Sequence, residues 1–87
     1  MPHLASMTSP PMTLTAKYDE MAGQVHVTLG RNSYKMSEGL RFMGCTLKLD
    51  TNYMEYLFET TEEYCIAFVR VNLKKLATDH KWELELI

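Results

Sequence analysis

The sequence predicts an α+β domain: a largely antiparallel, meander-like sheet of about five strands, one helix from the C-terminal half packed on one face, and a final strand after that helix. Three observations predict it. Short segments of alternating apolar and polar residues recur through the first sixty positions, separated by turn residues. One later segment repeats instead at helical spacing. The closing stretch, KWELELI, returns to strict alternation. Strands joined by short turns pair antiparallel, and a helix with one apolar stripe covers one face of such a sheet.

Residues 1–11 hold all three prolines and a scatter of Ser and Thr, with little to bury. They read as a flexible tail ahead of a single small domain at 12–87. MTLTAKY (12–18) alternates, with Leu14, Ala16 and Tyr18 on one face. DEMAG supplies a turn, and QVHVTL alternates again through Val25, Val27 and Leu29. GRNS is a second turn signal, and YKM reads as a short strand. In LRFMGCTLKL (40–49) the apolar parity slips by one residue, which predicts a β-bulge at Met43-Gly44. DTN then turns the chain into YMEYLFE (53–59), where Met54, Tyr56 and Phe58 alternate with acids.

The stretch 61–78 is rich in β-branched and aromatic residues at its start, yet its periodicity is helical. Taken at 100° per residue, Cys65, Ile66, Val69, Leu73, Leu76 and Ala77 fall on one arc about 120° wide. Thr60 with Glu63 makes a capping box, Glu62 and Glu63 sit at the start, and Arg70, Lys74 and Lys75 follow, the order that the helix dipole favours. These signals outweigh the rival reading, a strand at 63–71 followed by a short helix capped by Asn72.

Composition narrows the function. The chain of 87 residues is 46% hydrophobic and 23% charged, which suits one globular domain and not a disordered one. A formal net charge of −2 argues against a protein whose main work is neutralising phosphates. The sequence shows neither a signal peptide nor a membrane span, so a cytoplasmic protein without membrane contact is expected. Cys45 and Cys65 are too few for a disulfide scaffold and read as small buried free thiols, with one disulfide between them as the alternative. No phosphate-binding glycine loop, metal-ligand spacing or nucleophile motif occurs, and His26 and His80 read as surface residues, so no enzyme, metal or cofactor is expected.

The most biased stretch is 50–64, with five acids, no base and four aromatics. Tyr64, Phe68 and Val71 add a second apolar stripe beside the helix's core arc. A helix on one sheet needs only one stripe, so the second is expected to meet a partner or a second copy in a homodimer. The expected function is therefore a small non-enzymatic protein-binding module, an adaptor or inhibitor, acting through Tyr53, Glu55, Tyr56, Glu59, Tyr64, Phe68 and Val71. The alternative is a nucleic-acid-associated protein using Lys17, Arg31, Lys35, Arg41 and Lys48 on a basic sheet face carrying Tyr34. A small enzyme without a linear motif ranks third.

Overall fold

Alternation and turn chemistry build the first hairpin. Strand β1 (Thr13–Asp19) pairs antiparallel with β2 (Gln24–Leu29). Their turn is closed by Asp19, whose Oδ1 accepts from the Ala22 amide at 3.0 Å, and by Gly23 at φ +67. The computed structural model describes residues 12–87, and the expected tail lies outside the described residues. Helix α1 (Tyr34–Arg41) follows, then β3 (Thr46–Thr51), β4 (Glu55–Glu59), α2 (Ile66–His80) and β5 (Glu83–Leu86).

The architecture is the expected α+β domain, with a five-stranded, mostly antiparallel sheet and a final strand after the main helix. Its order is β3-β4-β2-β1-β5, so the sheet is not a simple meander. The β1–β2 and β3–β4 hairpins join through antiparallel β2–β4 pairing. Helix α1 carries the chain from β2 past β4 to β3. Helix α2 carries it from β4 to the far edge, where β5 runs parallel to β1. A parallel neighbour requires such a crossover, and both crossovers here are helical.

One face of the sheet is covered. Leu14, Ala16, Val25, Val27, Leu29, Tyr56 and Phe58 meet Met36, Leu40 and Met43 from the α1 side and Val69, Leu73 and Ala77 from α2. The period-2 residues of the strands thus meet the period-3.6 residues of the helices in a single core. Full burial of a Leu- or Phe-sized side chain stabilises by about 1.5–3 kcal/mol, so these positions dominate folding. No element among the described residues covers the opposite face.

Three local expectations are corrected. YKM is not a strand: Tyr34–Arg41 is helical, because Met36, Leu40 and Met43 bury at helical spacing and Ser33 caps the start, its Oγ accepting from the Met36 amide at 3.2 Å. The bulge is not at Met43-Gly44, which lie in the α1–β3 connection. The register irregularity falls between Leu47 and Leu49, opposite Phe58 and Leu57. Helix α2 begins at Ile66 rather than 61, and its N-cap, Cys65, makes no side-chain cap hydrogen bond. Thr60 is occupied elsewhere: its amide and its Oγ1 both donate to the Gly23 carbonyl, each at 2.8 Å. Thr61 closes a local turn by accepting from the Tyr64 amide at 2.9 Å.

Candidate functional site

Helix α1 has two opposed faces. Met36, Leu40 and the following Met43 point into the core. Tyr34, Ser37, Glu38, Arg41 and Phe42 follow at i, i+3, i+4, i+7 and i+8 and line a groove enclosing about 500 Å³. Asn32 and Tyr53 complete it. Tyr34 is 71% exposed, Phe42 80% and Tyr53 54%, so three aromatic rings gather around one concave surface without being drawn into the core.

The third ring arrives from the β3–β4 turn. Asn52 (φ 54) and Tyr53 (φ 57) are consecutive left-handed residues, and the Met54 amide donates to the Thr51 carbonyl at 3.0 Å. The turn Thr51–Met54 thus has two left-handed central residues, a conformation that ordinarily takes Asn followed by Gly. Tyr in the Gly position is strained, at a cost of about 1 kcal/mol. The surroundings hold it there. The buried Ser37 hydroxyl donates to the Tyr53 carbonyl at 3.2 Å. The Arg41 guanidinium lies over the Tyr53 ring, 5.1 Å from its centroid, and pairs with Asp50 of β3.

Charge in the groove is uneven. Arg41 is neutralised by Asp50. Glu38 makes no ion pair among the described residues and has only a long contact, 3.4 Å, from the Tyr34 hydroxyl. Neither Arg31 nor Lys35 lines the groove.

The seven residues expected to bind a partner do not form one surface. Tyr53 stands in the groove. Glu55 and Glu59 lie on the open sheet face, where Glu59 meets Lys48 at 3.3 Å. Tyr56 is a core residue at 1% exposure, its hydroxyl without a hydrogen-bond partner among the described residues. Tyr64 and Phe68 are half-buried and contact each other edge to face, ring centroids 4.9 Å apart. Of the helix stripe, Val71 alone is well exposed. Tyr34 and Phe42, the most exposed aromatics of the groove, were outside the expected set because their segment read as strand. The signal that marks them is Ser33 followed by apolar residues at 36, 40 and 43.

The basic residues of the first half do not share a face either. Lys17 and Lys48 are on the open sheet, Lys35 and Arg41 on α1, and Arg31 in the loop before it. Register places Asp19, Glu55, Glu59, Glu83 and Glu85 on the open face, where acids outnumber those two lysines. Tyr34 stands on a helix, away from that sheet face.

Both cysteines are free. The helix-start N–H groups of Phe68 and Ala67 favour the Cys65 thiolate and lower the thiol from its ordinary range although neither makes a cap hydrogen bond to the sulfur, while burial pushes the Cys45 thiol up. Among the described residues no group of three or more His, Cys, Asp or Glu is placed to hold a metal ion. No helix among them is long and apolar enough to cross a membrane. Comparison with protein-family models, curated proteins and solved structures gives no match to this chain.

Proposed function

We propose that this chain is a small non-enzymatic protein-binding module, an adaptor or inhibitor, whose docking surface is the groove between α1 and the β3–β4 turn. The observation that carries it is Tyr53, held in a strained left-handed backbone so that its ring stands beside Tyr34 and Phe42. Strain of this kind persists where the surroundings over-determine it, and it concentrates at binding sites. Exposed aromatics with an arginine among them are the composition of interface hot spots. The expected Tyr53 keeps its place in this reading. The acidic sheet face and the α2 stripe become secondary.

The nucleic-acid alternative draws less support. Stacking sites for single strands combine aromatics with a positive groove. Here the one cation in the groove is already paired with Asp50, and the open sheet face is acidic.

The test is affinity capture with the parent chain and with a Tyr34→Ala, Phe42→Ala double variant, followed by mass spectrometry. The expected result is a defined protein set bound by the parent and lost by the folded variant. Capture of the same set by both, or recovery of nuclease-sensitive material alone, overturns the reading.

A further inference from the structure

We infer that the groove takes a cationic side chain, the arginine or lysine of a basic polypeptide segment. The inference rests on the protein-binding reading and names the partner's chemistry. Three aromatic rings, Tyr34, Phe42 and Tyr53, line one concave surface. The face of an aromatic ring is negative and attracts a cation placed within about 6 Å of its centroid. Arg41 already sits 5.1 Å from the Tyr53 centroid, so Tyr34 and Phe42 are the rings left to receive a guest cation.

Net charge then fixes the sign of the guest. Arg41 and Asp50 cancel, and Glu38 is left without an ion pair among the described residues. Glu38 stands between Tyr34 and Phe42 along one helix face, four residues from each. A carboxylate with aromatic side chains four residues to either side on the same helix face suits a guanidinium or ammonium and repels an anion. The occupant is a peptide segment rather than a free small cation. The groove is open along α1 and offers Asn32 as a polar group at its end, so it has room for backbone beside the inserted side chain. Its partner is therefore a protein with an exposed basic segment, complementary to a domain whose own formal net charge is −2.

The test uses the full chain and nuclear magnetic resonance. The probe is a short glycine-alanine peptide with one central arginine. Its counterpart carries citrulline, which keeps shape and hydrogen-bonding planarity but has no charge. Choline is the free-cation probe. The arginine peptide is expected to give saturable shifts confined to residues 32–42 and 53, with affinity about fivefold or more above the citrulline peptide and above choline. Glu38→Gln is expected to remove most of that preference while leaving the remaining spectrum unchanged. Equal affinity for arginine and citrulline peptides, or no saturable shift at about 10 mM peptide, overturns the inference, since even weak specific contacts register in that range. Choline binding as tightly as the arginine peptide overturns the choice of a polypeptide. If the arginine peptide fails while captured proteins still depend on Tyr34 and Phe42, the cationic guest is wrong and the protein-binding reading stands.

Discussion

The hydroxyl of Ser37, 3% exposed in α1, donates to the carbonyl of Tyr53 at 3.2 Å and ties the β3–β4 turn to the first helix. Two substitutions separate its roles. Tyr53→Gly relieves the left-handed backbone at φ 57, so stability is expected to rise by about 0.5–1 kcal/mol even as the groove loses a ring. Ser37→Ala leaves the backbone strain in place and removes the bond, and is expected to cost about 1 kcal/mol. Urea denaturation measures both. A destabilised Tyr53→Gly shows that the ring contributes more to folding than its backbone costs, and removes strain as an argument for function.

Gly39 of α1 faces Leu76 of α2, and a methyl group built on Gly39 lies 2.5 Å from the Leu76 Cδ1. Alanine in a helix gains up to about 1 kcal/mol over glycine, but here it must displace Leu76. Gly39→Ala alone is therefore expected to bring no stabilisation. In a Leu76→Ala background, where the space is open, the same change is expected to stabilise by about 0.5–1 kcal/mol. Equal gains in both backgrounds, again from urea denaturation, mean that the two helices do not meet at this point.

That seam also shows where the sequence was silent. The strands β1, β2 and β4 were legible because each has one buried face, and Leu14, Ala16, Val25, Val27, Tyr56 and Phe58 alternate accordingly; β5 was legible from its alternation alone, although Leu84 is only half-buried and Leu86 is exposed. The α2 core arc was legible through Val69, Leu73 and Ala77, but Cys65, expected on that arc, stands at the helix N-cap and is exposed. Helix α1 was not, because Gly39 lowers its propensity and Leu40 and Phe42 mimic a strand pair. The Thr60–Glu63 box looked like a helix start, yet a long-range partner, Gly23, took the threonine. Local pattern cannot anticipate such competition. The groove depended on α1, which read as strand, and on Tyr53, which read as the start of a strand at 53–59 but stands in the turn before β4.

Cys65 and Cys45 differ in reactivity. Thiolate is the nucleophile, and the helix-start N–H groups of Phe68 and Ala67 favour it at Cys65, whereas burial disfavours it at Cys45. Iodoacetamide at neutral pH is expected to modify Cys65 first. Raising the pH ionises Cys65 first and Cys45 only later, so the preference is expected to shrink in alkali. Peptide mass mapping across pH reads the ratio. A preference for Cys45, or one that grows with pH, contradicts the assignment.

Tyr18 carries a pH signature in stability. Burial raises its phenol, and the Arg70 guanidinium, 4.8 Å from the ring centroid, partly offsets that. A raised folded value means that the fold prefers the neutral phenol. The contribution is fully present below the unfolded tyrosine value of about 10 and is lost as pH rises through the folded value. Arg70→Gln removes the offset, so the ring resonances of Tyr18 are expected to titrate at still higher pH and the alkaline loss of stability to extend further. An unchanged or lower titration in the variant shows that Arg70 does not act on this phenol.

Self-association through α2 is open to a direct test. The stripe of Tyr64, Phe68 and Val71 was expected to be spare. Tyr64 and Phe68 are half-buried, and Phe68 packs against the core. Val71, 66% exposed, remains. A stable interface buries about 800 Å² on each partner, and one valine offers on the order of a tenth of that. Self-association through this stripe is therefore not expected, and light scattering of the parent chain and of Val71→Asp at high micromolar concentration is expected to give the same mass. Val71→Asp is expected to change stability by less than about 0.5 kcal/mol. Phe68→Asp places a charge against apolar surface and loses the Tyr64 contact, so it is expected to destabilise by about 2 kcal/mol or more. Circular dichroism melts separate the two variants. A dimeric parent that Val71→Asp dissociates without unfolding restores the helix stripe as an interface and moves the docking surface from α1 to α2.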